Sequence, residues 1–356
     1  MEKSRRRASG VWILLLLLGT VGWGCEGGAR GGEGQDPVVE VVVGDLVPRG
    51  TLQRARLREG DGIIDGDTIR AVGFDQSIRL LCIDTEETLE GDDLAKAQRD
   101  WEAYRRGQRE EGAGPASYGT FLGNEATAFA ERFFEGVEEI FLEYQSPEQT
   151  RGFFGRHLAY AWVKGPQGEW KNYNVEAVRA GMTPYFTSYG WCDAYHAHFV
   201  AAEEEARKAG RGIWAPGARS YDDYEERRSL WEARAREIGM FREYFGPQEG
   251  VVKLGTDTAM ARLRLSVGQR VMIFGALDRH APRARPPKLH FHHRFREDFV
   301  VVTAAGSSFE EFGVEFSPGH HYYVEGVVEL YRGNPQLRVD GKSFIRSGAT
   351  PPPRSR

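Results

Sequence analysis

Two strand-rich regions, 38–214 and 250–346, flank a charged run at 219–240 that has no proline, and no glycine before Gly239. A run of that kind, rich in Glu, Arg and Ala, predicts a helix. The chain therefore divides into a first domain at 38–216, a helical linker at 217–248 and a second domain at 249–346. A tail at 347–356, with three consecutive prolines, is expected to be disordered. The full length of 356 residues suits two domains of ordinary size.

In the first region, short apolar segments at 62–69, 78–83, 139–144 and 157–163 read as strands. Helical patterns fall at 124–136 (Asn124 as cap), 172–181 and 193–209 (Asp193 as cap). Strands at this spacing with helices inserted late predict a small barrel with helices packed on it. The polar segment between Glu87 and Gly123 is too long for a structureless loop and is read as functional or partly helical. The second region supplies five strand-like segments at 269–277, 288–291, 299–303, 321–330 and 336–344, which fit an OB-type barrel. The fold class is mainly β with packed helices (α+β).

Phosphodiester hydrolysis needs charge neutralised at phosphorus and a water activated as nucleophile. Asp67 and Asp84 are candidate oxygen ligands for a hard cation, with a backbone carbonyl beside Asp84. Arg79 and Arg156 can grip phosphate oxygens in bidentate fashion. Glu87 is a carboxylate placed to take the water's proton. Arg79 and Asp84 are five residues apart, so a regular strand would send them to opposite faces. A bend near Asp84 is required.

The stretches IIDGDTIRAVGFDQSIRLLCIDTEET (63–88), FFGRHLAYAWV (153–163), NVEAVRAGM (174–182) and AEEEARKAGRGIW (202–214) resemble the staphylococcal nuclease-like (thermonuclease) family in order and spacing. That resemblance implies a staphylococcal-nuclease-type OB barrel. It implies Ca2+ held by Asp67, Asp84 and the carbonyl of Thr85, with Asp65 as a supporting acid. Glu87 would be general base, and Arg79 and Arg156 would bind phosphate. It also implies in-line attack of water on DNA or RNA, leaving 3′-phosphate and 5′-hydroxyl ends. Tyr185 is the position that maps to a tyrosine flanking the bound nucleotide. Three departures stand out. Glu86 replaces a frequent proline and is expected to add negative charge near the metal. Phe153 and Phe154 replace a Lys-Tyr pair that touches nucleotide phosphate, which would weaken binding there. The segment after Glu87 is lengthened, which would reshape access.

In the second region, YVEGVVELYRGNPQLRVDGKSFI (323–345) resembles the last hairpin of bacterial OB-fold nucleic-acid-binding domains. Tyr331, Arg332 and Gln336 are its candidate nucleic-acid contacts. Histidines 290, 292, 293, 320 and 321 lack cysteine partners and read as surface histidines, not metal ligands.

Net charge is −5, from 47 basic and 52 acidic residues. This is not the footprint of a chain that binds nucleic acid over a broad basic face, though it does not restrict what one cleft binds. The N-terminus pairs Lys3 and Arg5–Arg7 with an apolar run, Val11–Leu18, too short to span a bilayer. Residues 1–25 are read as an export signal, with Cys25 at the position of an acylated lipoprotein cysteine, and 26–37 as a flexible tether. The bacterial envelope, by lipid anchor, or the exterior is the expected location. Cys82 reads as a buried thiol. Cys192 is left open as a spare thiol or a pairing partner. The whole reading is an exported, monomeric, Ca2+-dependent nuclease acting on DNA or RNA. The competing reading is a non-catalytic surface lipoprotein that captures nucleic acid or protein.

Overall fold

The computed structural model describes residues 44–111, 115–246, 248–295 and 297–353. The segments read as export signal and tether, with Cys25, and the last three tail residues lie outside them. The class is mixed α+β, with two closed barrels and seven α-helices among the described residues.

Strands Leu52–Ala55, Thr68–Ile69, Ile78–Leu80, Ile140–Glu143 and His157–Lys164 form the first barrel, in the spatial order first, fourth, fifth, third, second. A bridge between Leu57 and Ala71 closes the ring. The third and fifth strands run parallel and the other pairs antiparallel. Alternation fixes what each strand presents: Ile78 and Leu80 are sealed in the core, so Arg79 between them leaves by the other face. Helices Phe121–Phe134, Tyr173–Arg179 and His196–Lys208 pack on this barrel. The Phe121–Phe134 helix buries Leu122, Ala126, Ala130 and Phe134, one stripe at four-residue spacing. Its cap is Thr120, whose hydroxyl accepts from the Gly123 N–H at 3.0 Å. Asn124, the cap expected from sequence, instead brackets Leu89, accepting from its N–H and donating to its carbonyl. Asp193 likewise caps nothing; it pairs with Arg242.

The second barrel uses strands Arg270–Ala281, Lys288–Arg294, Glu297–Thr303, His321–Tyr331 and Asn334–Val339. Its cyclic order matches the first, again with the third and fifth strands parallel and closure between the first and fourth. Both barrels thus carry the same OB-type topology. The last predicted strand is cut at Val339 by a turn in which the Ser343 N–H donates to the Asp340 carbonyl. Ile345–Ser347 then pairs separately with the fourth strand. The tail departs from the expected disorder through Pro353: the Gly348 N–H donates to the His321 carbonyl, and Pro352 is buried.

The linker is an integral element. Its helix, Tyr224–Tyr244, reaches both barrels. Trp231 meets Phe186 edge-on at 4.8 Å, and Phe241 stacks on Phe274 at 4.4 Å. The segment after Glu87 folds into helices Gly91–Arg99 and Trp101–Glu111. They share a small core, including Leu89, Tyr104, Tyr118, Tyr221 and Trp231, with the start of the linker helix.

The cysteine expectation is corrected. Cys82 and Cys192 form a disulfide across 110 residues, with Cα atoms 6.4 Å apart. Burial alone made Cys82 look like a free thiol; nothing local in the sequence shows that the turn after Ile78–Leu80 lies under the segment preceding the His196–Lys208 helix.

Candidate active site

Asp65, Gly66 and Asp67 turn the chain into the Thr68–Ile69 strand. The Asp65 carboxylate accepts from the Asp67 N–H at 3.0 Å. The turn is pressed against its neighbours: a Cβ on Gly66 would lie 2.7 Å from both Ala126 Cβ and Thr85 Cγ2. Only glycine fits there. Asp67 is buried and its oxygens are engaged. Oδ1 accepts from Thr68 Oγ1 at 2.8 Å; Oδ2 accepts from the Thr85 N–H at 2.8 Å and Thr85 Oγ1 at 3.1 Å.

The bend demanded by the Arg79–Asp84 spacing is present. The strand ends at Leu80, and Cys82 takes a φ of 68°, which breaks the alternation. Arg79 and Asp84 therefore face one cleft. The Arg79 guanidinium spans the carboxylates of Asp67 and Asp84, contacting Oδ1 of each. The Asp84 N–H is held by Thr183 Oγ1 at 2.9 Å.

Glu87 stands exposed at the rim. Partial burial, with Asp65 and Asp84 nearby, raises its carboxyl above the ordinary range, against the opposing pull of Arg79 and Arg156. Burial likewise raises Asp65. Arg156, carried on the turn entering the fifth strand, lies in the same field. Burial and Arg79 lower its pKa, while Asp65 and Asp84 oppose that shift. The structure thus brings Asp65, Asp67, Arg79, Asp84, Glu87 and Arg156 to one cleft, with Thr85 bound to Asp67.

Four other sequence expectations come out differently. Tyr185 is a core residue, stacked on Phe199 at 4.9 Å, with its hydroxyl accepting from the Cys192 N–H. It cannot flank a ligand. Tyr189, four residues on, is 77% exposed and within electrostatic reach of Arg79, Asp84 and Arg156. Its signal in the sequence was only its place before the Gly190 turn. Glu86 does not face the cleft. It is buried and accepts from the Tyr221 N–H at 2.8 Å, the Tyr224 hydroxyl at 2.7 Å and the Thr120 hydroxyl. Burial pushes its carboxyl up to about 6. Through Tyr221, the segment beyond the first barrel also reaches Glu87: the Tyr221 hydroxyl accepts from the Glu87 N–H at 3.3 Å and donates to the Tyr118 carbonyl at 2.9 Å. Gly123 lets the helix start lie against this turn, since a Cβ there would sit 2.0 Å from the Glu87 carbonyl oxygen. The lengthened segment thus buttresses the acidic turn from behind.

Phe153 and Phe154 meet the second barrel rather than stand in a phosphate pocket. Tyr331 and Arg332 lie exposed at the tip of the last hairpin, with the guanidinium over the ring at 5.4 Å; Gln336 donates to Glu329. Among the described residues, no contact links these three to the acidic cleft.

Asp67 and Asp84 both contact the Arg79 guanidinium; among the described residues no three His, Cys, Asp or Glu side chains are grouped so as to hold a metal ion. Carboxylate oxygens such as these suit a hard divalent cation and not a thiophilic metal.

Residues 77–216 match the family model described as Staphylococcal nuclease homologue. The span includes Arg79, Asp84, Glu87 and Arg156; Asp65 and Asp67 precede it and join it where Thr68 pairs with Arg79. No curated protein matches the chain. The barrel, the cleft and the match together make this region a staphylococcal nuclease-like domain, from a family of nuclease-type proteins that act on nucleic acid.

Proposed function

We propose that the chain is an exported, Ca2+-dependent nuclease that hydrolyses phosphodiester bonds of DNA or RNA. The observation that carries this reading is the Arg79 guanidinium held between Asp67 and Asp84, with Glu87 and Arg156 around the same cleft. Asp67, Asp84 and the Thr85 carbonyl would hold the cation, which when bound neutralises phosphate charge and lowers the pKa of water. A substrate phosphate gives Arg79 an alternative anion, and Arg156 a partner on the other side. The Glu87 carboxylate takes the proton of a water that attacks phosphorus in line. The phosphorus–5′-oxygen bond breaks, the 5′-oxygen leaves as a hydroxyl after gaining a proton, and phosphate remains on the 3′ side. Tyr189 offers an exposed ring beside the cleft for a base.

Export, with lipid attachment at Cys25, is supported by the N-terminal pattern and by the Cys82–Cys192 disulfide, since such bonds persist in oxidising compartments. The test is to incubate the mature chain with single-stranded DNA in calcium or in chelator. Calcium-dependent cleavage supports the proposal. Tight binding with no cleavage under any divalent cation sinks it and favours the capture-protein reading.

A further inference from the structure

Arg156 stands just after a turn that begins and ends in glycine. The Gly155 N–H donates to the Gly152 carbonyl at 3.0 Å, and Gly155 takes a φ of 79° as the chain reverses toward the His157–Lys164 strand. The Gly152 N–H donates to the Arg156 carbonyl at 2.9 Å. The arginine's backbone is thus tied to the peptide that links Arg151 and Gly152. Its guanidinium lies over the Phe154 ring at 5.7 Å and makes no ion pair among the described residues. Where that guanidinium points is therefore set by its own turn. Glycine leaves such a turn little stiffness of its own. The first barrel adds one side chain to it: Arg151 donates to the Gly155 carbonyl at 2.9 Å and pairs with exposed Asp75.

The second barrel grips the same turn from outside. Arg294 ends its strand Lys288–Arg294. One nitrogen of Arg294, Nη1, donates to the carbonyls of Arg151 at 3.1 Å and Gly152 at 3.2 Å. The Arg151 carbonyl belongs to the very peptide whose N–H holds Arg156. The other nitrogen, Nη2, pairs with Asp257, which fixes the planar fork. Asp257 also reaches across to the approach of the turn. Its Oδ2 accepts from the Thr150 N–H at 2.9 Å and from Thr150 Oγ1 at 2.8 Å. Its own N–H donates to the Glu148 carbonyl at 2.9 Å. Thr150 in turn accepts, through its carbonyl, from the Leu158 N–H at 2.9 Å. Residues 148–152, which lead into the turn, are thus clasped by two side chains of the other barrel.

The geometry points to Arg294 and Asp257 as positioning residues for Arg156, by which the second barrel holds that guanidinium where the substrate phosphate arrives. This rests on the nuclease reading for the cleft itself. Neither residue touches substrate; both act through the backbone that carries Arg156. A clasp that merely joined the barrels would lower stability and leave its effect on cleavage independent of Arg156. A positioning clasp has an effect only while Arg156 is there to be positioned.

The test is a double-mutant cycle on the full chain. Arg294→Ala is made in wild type and in Arg156→Ala. Each chain is assayed for cleavage of single-stranded DNA in calcium, for binding of labelled oligothymidine in chelator by fluorescence anisotropy, and for its melt. In wild type, Arg294→Ala is expected to lower kcat/KM about 10-fold, part of the ~100-fold that a 1 Å misplacement can cost. It is expected to weaken oligothymidine binding about 5-fold, the worth of one displaced cation near the surface. In Arg156→Ala the same substitution changes either quantity less than about 2-fold. Asp257→Asn keeps an acceptor for Thr150 and loses the pairing with Arg294. It should show a smaller loss with the same dependence on Arg156, and it serves if Arg294→Ala fails to fold. A wild type that cleaves while Arg294→Ala matches it overturns the positioning role alone. So does an Arg294→Ala loss that is equally large in Arg156→Ala. A wild type that shows the coupling in oligothymidine binding yet cleaves nothing upholds the positioning role and overturns the nuclease reading. A wild type that neither binds nor cleaves overturns both.

Discussion

Replacing Glu86 separates its structural work from the chemistry one residue away. In the folded chain it is buried and accepts three hydrogen bonds, from Thr120, Tyr221 and Tyr224. Its carboxyl moves from 4.5 to about 6. A carboxyl raised by folding contributes stability that is complete below the unfolded value and is lost as pH rises through the folded one. Across that interval the loss is about 2 kcal/mol, or roughly 4–8 °C in Tm for a domain of this size. Glu86→Gln keeps an acceptor for Tyr221 and Tyr224 and removes the titration. Relative to wild type it should therefore gain about 2 kcal/mol between pH 4.5 and 7, with near-normal activity. Glu86→Ala strands at least two buried donors and should cost ~3 kcal/mol or more at either pH. It should also lower kcat, because Tyr221 no longer holds the Glu87 N–H in place. Calorimetric melts of both variants at pH 4.5 and pH 7 read this directly. If Glu86→Ala melts with wild type, or if Glu86→Gln shows no gain on raising pH, the buried-staple argument fails.

Three further outcomes follow from the same structure. Reducing the Cys82–Cys192 bond, or replacing both cysteines with serine, releases a loop of 110 residues; the chain-entropy argument gives a loss of about 5 kcal/mol, read by denaturant unfolding with and without reductant. Glu87→Gln should lower kcat at least ~100-fold. Because burial and neighbouring acids raise the Glu87 carboxyl, the acid limb of the wild-type rate profile should sit above the ordinary Glu range, and that limb should vanish in the variant. Gly66→Ala should cost about 1–3 kcal/mol and displace Asp67, since its methyl would sit 2.7 Å from Ala126 and Thr85 atoms; calcium binding measured by calorimetry should weaken with it.

The sequence stretch 63–88 made most of the cleft legible because strand, turn and acidic residues are local there. The alternation that buries Ile78 and Leu80 already aims Arg79 outward, and the spacing to Asp84 demanded the bend that Cys82 supplies. The second barrel was readable from strand spacing, its last strand differing mainly at its ends; in the first barrel four strands were readable and Leu52–Ala55, which pairs with Ile140–Glu143, was not. Features that depend on distant partners were not readable. Cys192 lies 110 residues from Cys82. Glu86 looked like an extra charge at the metal because its three donors come from residues 120, 221 and 224. Tyr185 and Tyr189 are four apart with the same chemistry, and only packing on Phe199 sends the first inward. Asn124 had the right residue type for a cap, but Leu89, remote in sequence, claims its side chain.

The proposed cleavage requires Asp84, Glu87 and Arg156 to act together with Asp67 and Arg79 in one cleft. Its most direct measurement is the single-turnover cleavage rate of single-stranded DNA in calcium for wild type, Asp84→Asn, Glu87→Gln and Arg156→Ala, with melting curves taken alongside. The prediction is that all three variants fall at least ~100-fold while their melts stay near wild type. A wild type that does not cut, or a Glu87→Gln chain that cuts at the wild-type rate, contradicts it.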